Sequence, residues 1–567
     1  MLSLECNPLT ALPPAIGQLS NLTLLILSDT QLTALPPEIG RLNNLTELFL
    51  DNNLKLTSPP PEILRQGTKA TLAFLQARLQ DSQQQWISKL LFVGQGGVGK
   101  TSLRRTLRGV AFEPQESTTH GIEITPLQLA HPEKPEVTMR LNAWDFGGQD
   151  IYHATHQFFL TDRSLFLLTW NARHGYEQGK LYYWLDTIQA LAPESPVLIV
   201  ATHIDQRDAD LPLAELRHKY PQIIGHCAVS NLTRTGCERL REQIAAAAAK
   251  LPLMGEAWPA SWLKATNAIQ DMPEKYITFR DLEAELLKHG LKQQDAQILA
   301  QWLHELGEIL FFPENPDLKD IVILKPQWVA EYISRVLENE EVIRENGIFT
   351  RDCMDRIWQE LPPQLRQHFL RLMERFDLSY RTLENQDISL VVERLPLDPP
   401  DYEWQWRQIV ETKPCNEISM QFQLSTIPAG IPTWFIARSH RFTTHTHWRN
   451  GTLFAYDSER KHIALVQAFP QERYLQLTVR GSNPQNFFAL LKDGIEVTLT
   501  RFPGLRIKRL IPCPGHNGTP CGYLFNYAHL ERAIQRNPPI LEIQCQETFE
   551  PWLTDKTIQR HIGAFVL

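Results

Sequence analysis

Leucine and isoleucine recur at a fixed interval through the first part of the chain. Leu22, Leu25, Leu27, Leu32, Leu35, Pro36, Ile39 and Leu42 lead 23 residues later to Leu45, Leu48 and Leu50. Leu2, Leu4, Asn7, Leu9, Leu12, Pro13, Ile16 and Leu19 hold the same register before them. Prolines at 13–14, 36–37 and 59–61 exclude one continuous amphipathic helix. The period predicts a short strand and a tight return per turn, leucines inward, each turn buried on the next. After Asn53 the copy slips by one, with Leu56 and Ile63 each a residue late. Met1 falls inside a turn with no cap before it, so the array reads as N-terminally truncated. Leu72, Leu75 and Leu79 then predict a connecting helix over about 67–85.

Apolar runs of another kind follow. Leu90–Val93, Leu141–Trp144, Ser164–Trp170 and Pro196–Ala201 suit central parallel strands covered on both faces. From Ile277 to Asn346, Leu282, Leu286, Leu287, Leu299, Leu303 and Leu306 keep helical spacing. Gly307–Phe312 and Ile321–Leu324 read as short strands, so helices plus a small hairpin predict a winged-helix-like half. Beyond Ile418 the pattern is strand-rich, and Glu496-Val497-Thr498-Leu499-Thr500 reads as an alternating strand. Pro-rich Leu395–Pro400 is the expected boundary between the halves.

Composition narrows the class. A chain of 567 residues with 43% hydrophobic and 21% charged content fits three or four ordinary domains. A net charge of −8 leaves no basic footprint for nucleic acid or an anionic membrane. No apolar stretch reaches the ~20 residues of a spanning helix. Eight cysteines in this length are sparse, and the expected setting is the reduced cytoplasm.

The chemistry concentrates where the second pattern begins. Gly94-Gln95-Gly96-Gly97-Val98-Gly99-Lys100-Thr101 follows an apolar run and opens a helix through Ser102, which is G-x-x-x-x-G-K-[ST] in strand–loop–helix context. Such a loop turns N–H groups onto phosphates, with Lys100 toward the β- and γ-phosphates and the Thr101 hydroxyl toward Mg²⁺. The same glycines spell a dinucleotide fingerprint, which would not need Lys-Thr after its last glycine. Asp145-Phe146-Gly147 spells the kinase D-F-G, but no H-R-D loop precedes it. Read with Gly148 and Gln149 it is D-x-x-G-Q: Asp145 toward Mg²⁺ through water, the Gly148 N–H toward the γ-phosphate, Gln149 toward the attacking water. Cys513, His516, Cys521 and Cys545 offer four zinc-ligand types at irregular spacing without C-x-x-C, and buried thiols are the competing reading.

Three further segments resemble Ras-like GTPases. Thr118-Thr119-His120-Gly121-Ile122 resembles switch I, where Thr119, or Thr118 as runner-up, would close over Mg²⁺ and the γ-phosphate. Thr202-His203-Ile204-Asp205 resembles [NT]-K-x-D, which implies that Asp205 accepts from guanine N1 and N2; His203 replaces the family's lysine. Ala228-Val229-Ser230-Asn231 stands where a further base loop is expected, and only Ser230 matches.

These features, with a leucine-rich-repeat period before them and a long tail after, resemble the Roco family. Asp320–Val329 is similar to that family's V-I-L-x-P-Q-W segment of the COR region. Leu372–Phe376, Pro428–Pro432, Phe435–His440 and Trp448–Gly451 are similar to other COR landmarks, and no kinase domain follows before Leu567, as in the bacterial type. The resemblance implies a multidomain α/β chain: repeats over 1–66, a linker helix over 67–85, a Ras-like Roc domain over 86–250, and COR halves over 251–400 and 401–567. It also implies a GTP/GDP- and Mg²⁺-dependent switch that dimerises through COR, with an unknown protein ligand on the repeats. The rival readings are a nucleotide-binding scaffold without turnover and a signalling ATPase; Asp205 disfavours the second. Intact Lys100, Thr101, Asp145 and Gln149 disfavour the first.

Overall fold

The structure is a computed structural model. It describes the chain apart from residues 115–120, 148–162, 409–415, 428–430, 432–434, 436–438, 457–461, 514–520, 536–541, 548–550 and 554–567, and the single positions 179, 253, 292, 314, 377, 383, 384, 501 and 503.

Three parallel strands open the chain: β1 (Leu2–Ser3), β2 (Leu24–Ile26) and β3 (Glu47–Phe49). Leu2 pairs with Leu25 and Leu25 with Leu48, so the 23-residue period becomes the rise from one turn to the next. Pro14–Gln18 and Pro37–Arg41 form 3₁₀ turns on the return, each entered from a proline. Where the sequence slips, Pro61–Leu64 makes a short α-turn instead, and Leu56 and Ile63 are still buried. The expected linker divides in two. Thr68–Gln80 is α1, and the Leu48 N–H on the edge strand donates to the Thr68 hydroxyl at 3.0 Å. Ser82–Gln84, taken as helix from the sequence, is strand β4. It is exposed and polar, and it is drawn out by pairing with β11 (Ala257–Pro259), 173 positions on from Gln84 to Ala257.

The second pattern forms a six-stranded sheet from β5 (Ile87–Val93), β6 (Ile122–Ala130), β7 (Thr138–Phe146), β8 (Ser164–Asn171), β9 (Val197–Thr202) and β10 (Ile223–Ala228). The order is β10-β9-β8-β5-β7-β6, all parallel except β6 on β7. Helices α2 (Lys100–Leu107), α3 (Leu181–Leu191) and α4 (Cys237–Ala248) flank it. Every residue of β8 and β9 is buried, as their largely apolar runs imply.

After β11 come α5 (Ala260–Asp271), β12 (Tyr276–Thr278), α6 (Phe279–Lys288), α7 (Gln293–Glu305), β13 (Ile321–Ile323) and α8 (Pro326–Leu337). β12 pairs antiparallel with β13, so the small sheet beside the helices joins Tyr276–Thr278 to Ile321–Ile323, and the expected strand Gly307–Phe312 is reduced to a single bridge from Leu310 to Ile323. Trp258, Trp262 and Trp302 pack with Phe74 of α1, ring centroids 4.9–5.6 Å apart between Trp258 and Trp302, Trp262 and Trp302, and Phe74 and either Trp262 or Trp302. This cluster joins the leucines of the opening turns to α5–α7 in one core. β14 (Ile348–Thr350), β15 (Ser379–Arg381) and β16 (Ile388–Val391) form a small sheet around α9 (Pro363–Arg375).

The last part is a seven-stranded antiparallel sheet in the order β18-β19-β20-β21-β17-β22-β23. Its strands are β17 (Asn416–Leu424), β18 (Thr443–Trp448), β19 (Gly451–Ala455), β20 (His462–Phe469), β21 (Tyr474–Gly481), β22 (Ile507–Pro512) and β23 (Leu524–Asn526). One sequence expectation is overturned here: Glu496–Leu499 is no strand but the last turn of α10 (Gln485–Leu499). Phe487, Phe488, Leu491, Ile495 and Leu499 repeat at helical spacing and bury one face on the sheet, which outweighs local β propensity. No helix among the described residues is long and apolar enough to cross a membrane.

Candidate nucleotide-binding site

β5 ends at Val93, and the chain turns through Gly94–Gly99 into α2. Gly94 has φ 139°, and a Cβ there would lie 2.2 Å from the Thr169 carbonyl oxygen of β8. Gly99 caps α2 with φ 88° in the left-handed region, so both positions favour glycine. Gln95, Gly96, Gly97 and Val98 complete the loop, with Gly96 and Gly97 exposed. The Lys100 ammonium folds over it and donates to the Gly94 and Gln95 carbonyls at 2.8 and 3.0 Å. Burial lowers the Lys100 pKa to about 8, against the attraction of Asp145.

Asp145, near the end of β7, is fully buried, and neither carboxylate oxygen makes a hydrogen bond of ordinary geometry among the described residues. Burial raises its pKa, while Lys100, then the Thr101 hydroxyl and Arg104, favour the charged form. A buried carboxylate and a threonine hydroxyl are oxygen donors that fit Mg²⁺, and the ammonium beside them fits the phosphate that would share the ion. Thr101 and Ser102 are half-buried in the first turn of α2, and the Ser102 carbonyl accepts from the Thr106 hydroxyl.

Arg104, one turn beyond Lys100, was not singled out from the sequence. It is 3% exposed, with Nε 3.4 Å from Asp145 and bonds to Glu123 at 2.6 Å and Thr125 at 2.8 Å. Its guanidinium ties α2 to β6 and shares the charge of Asp145. Its partners lie on other strands, so no local motif marks it.

The other half of the site stands at the ends of β9 and β10. The Thr202 hydroxyl is within 2.7 Å of the Val98 carbonyl, 3.1 Å of the Trp170 carbonyl and 2.9 Å of His203 Nδ1, which fastens this loop to the phosphate loop. His203 adopts φ 60°, with its ring close to Gly99. Asp205 is exposed, and a hydrogen bond from the Ser230 hydroxyl holds its carboxyl below the usual range. The structure thus brings Ser230 to Asp205. Asn231, quoted in the sequence but given no role, donates from Nδ2 to the Gly99 carbonyl at 3.3 Å. Thr118, Thr119, Gly148 and Gln149 lie outside the described residues, as does His516.

The residues flanking those two segments meet. The Gly147 N–H donates to the Gly121 carbonyl at 2.8 Å, so the start of one segment is tied to the end of the other. A Cβ on Gly121 would lie 3.0 Å from the Ser334 hydroxyl and 3.5 Å from the Ala330 carbonyl, both on α8. Trp144, beside Asp145 on β7, packs against Gly307, where a Cβ would lie 2.8 Å from the indole. Arg163, just past residue 162, forms an ion pair with Glu305 of α7.

A parallel sheet with one antiparallel edge strand, a phosphate loop at the tip of its first central strand and a base loop beside it define a P-loop protein of the Ras-like GTPase class. Residues 89–205 match the family model described as Ras of Complex, Roc, domain of DAPkinase. Residues 259–395 match the COR-A model and 415–560 the COR-B model, each described as C-terminal of Roc. The chain belongs to the Roco family, and its Roc domain is a Ras-like GTPase domain. Among curated proteins it is 30% identical to the probable serine/threonine-protein kinase pats1 of Dictyostelium discoideum, over 86% of this chain and 16% of pats1. It is 23% identical to the Roc-COR-CHAT protease of Runella zeae, over 70% of this chain and 44% of that protein. The chain therefore spans less than half the length of these relatives. The solved structure of Methanosarcina barkeri Roco2 RocCORdC bound to GDP shares 29% identity at a TM-score of 0.50, covering 56% of this chain and 98% of that one.

Proposed function

We propose that the chain is a Mg²⁺-dependent GTPase that acts as a molecular switch, with residues 1–66 as leucine-rich repeats that bind a protein partner and the COR region as a homodimer contact. The proposed units are the repeats, a linker over 67–85, Roc over 86–250 and COR halves over 251–400 and 401–567, in a cytoplasmic setting. The observation that carries the reading is the convergence of Lys100, Thr101 and buried Asp145 at a loop fastened to Asp205 and Ser230 through Thr202 and Asn231.

In this reading the loop N–H groups and Lys100 hold the β- and γ-phosphates in line for attack by water. Thr101 and Asp145 would hold Mg²⁺, joined by Thr119, and the ion would neutralise charge on the phosphate oxygens. The Gln149 amide orients the water, and Asp205 accepts from guanine N1 and N2. Gln149→Leu should therefore bind GTP as the parent does and turn it over about 100-fold more slowly, within the range for one positioned group. Single-turnover phosphate release measures this. Equal rates in the two proteins would remove Gln149 from the mechanism, and no turnover in the parent would favour the scaffold.

The switch has a route to the COR region. Gly121 rests on α8, Trp144 on Gly307, and Arg163 is paired with Glu305, so a nucleotide-dependent shift at Gly121, Trp144 or Arg163 would load these contacts. The large apolar residues of the last part are mostly spent in the core: Phe487, Phe488, Leu491 and Phe525 are buried, whereas Leu490 is 39% exposed. The expected result is a homodimer whose dissociation constant differs between GDP and a non-hydrolysable GTP analogue. Linkage requires dimerisation to change nucleotide affinity by the same factor. Truncation after Gln408 should leave a monomer that binds nucleotide. Sedimentation of both proteins in both nucleotide states decides: a truncated dimer moves the contact elsewhere, and identical affinities in the two states end the coupling.

A further inference from the structure

Three thiols from separate stretches meet at one end of the seven-stranded sheet. Cys513 directly follows β22, and its N–H donates to the Tyr523 carbonyl at 2.8 Å. Cys521 lies three residues before β23, which pairs antiparallel with β22. Cys545 follows the strand Glu542–Gln544, which pairs with Pro551–Leu553 and belongs to neither. All three Sγ atoms lie within 4.8 Å of one another.

The spacing decides between uses of such a cluster. Cys521 Sγ and Cys545 Sγ are 3.6 Å apart, well beyond the ~2.05 Å of a disulfide. Four ligands on a tetrahedral ion with Zn–S bonds of ~2.3 Å place sulfurs about 3.8 Å apart. Packing alone would explain buried Cys513 and Cys545, at 7% and 0% exposure. It does not explain Cys521, which is only half-buried and lies 3.2 Å from Glu547 Oε2. The Tyr523 N–H points at Cys521 Sγ from 3.5 Å, a hydrogen bond that supports a thiolate. The three sulfurs form the placed donor set, and the Glu547 carboxylate, in contact with Cys521, offers a fourth ligand. Soft thiolates select Zn²⁺ over Mg²⁺ or Ca²⁺, so this set is chemically distinct from the oxygen ligands near Lys100.

We propose that Cys513, Cys521, Cys545 and Glu547 form a structural zinc site that pins the strand Glu542–Gln544 to the β22–β23 edge. The site closes a cross-link between stretches 32 residues apart from Cys513 to Cys545, in a region where the sheet ends at the short strand β23. His516, the remaining member of the sequence set, lies outside the described residues.

The test uses the full chain purified without chelator. Elemental analysis should find about one zinc per chain, and cobalt exchanged into the site should show thiolate-to-metal charge-transfer absorption. Chelation should lower the thermal midpoint, and zinc should restore it. Cys545→Ser should lose the metal. Should that variant fail to fold, exposed Glu547→Gln keeps the question open to measurement, with an expected loss of zinc affinity of at least about 10-fold. His516→Asn should leave the affinity unchanged. Metal-free protein whose midpoint ignores chelator would overturn the site, as would a Cys521–Cys545 disulfide found by mass. Zinc kept in Glu547→Gln and lost in His516→Asn would overturn the carboxylate ligand.

Discussion

Lys100→Ala is expected to remove measurable guanine-nucleotide binding while the fold survives. The ammonium is 6% exposed and donates to two loop carbonyls, so it is already poised over the centre of the Gly94–Gly99 loop. In the nucleotide complex those bonds give way to contacts with phosphate oxygens, and each hydrogen bond to a charged partner contributes ~1.5–3 kcal/mol. Loss of two therefore lowers affinity by about 100- to 10,000-fold. The neighbouring charge sharpens the effect. Lys100 is the cation that most favours the ionised form of buried Asp145, and its removal leaves Arg104, at 3.4 Å, as the positive neighbour among the described residues. Titration calorimetry with GDP measures the loss, and circular dichroism of nucleotide-free protein checks the fold. Unchanged affinity would remove the phosphate-loop assignment.

The second large effect falls on base choice. Asp205→Asn replaces one carboxylate oxygen with an amide donor that faces the guanine N–H groups. Once a base covers this exposed carboxylate, losing the acceptor costs ~1–3 kcal/mol and more where it is charged, so GTP affinity should fall by at least about 10-fold. Xanthine presents an oxygen where guanine presents an amino group, so the same variant should gain affinity for xanthosine triphosphate. A competition assay with GTP, ATP and xanthosine triphosphate reads both changes. Ser230 bears on this prediction, because its hydroxyl holds the Asp205 carboxyl ionised and oriented. Parent protein that binds ATP as tightly as GTP would end the base-recognition reading.

Much of this protein is legible from residues alone because its strongest signals are local. A phosphate loop needs its glycines, lysine and threonine in one contiguous run, since a single backbone turn must wrap the phosphates. Likewise, the 23-residue period is visible because each turn pairs with its immediate neighbour, Leu2 with Leu25 and Leu25 with Leu48. Fully buried strands such as β8 and β9 betray themselves by largely apolar runs without charged positions.

Tertiary structure decided what depends on partners far along the chain. Ser82–Gln84 has no apolar alternation, and it is a strand because Ala257–Pro259 supplies the ladder. Glu496–Leu499 alternates like a strand, yet the face shared by Phe488, Leu491 and Ile495 winds it into α10. Arg104 and Asn231 enter the site through contacts with Glu123 and Gly99, and the three thiols come from stretches that only sheet pairing brings together. The physical reason is common to all of these. A short polar or ambiguous segment has too little intrinsic preference to choose its own conformation, so burial and hydrogen bonding against distant elements make the choice.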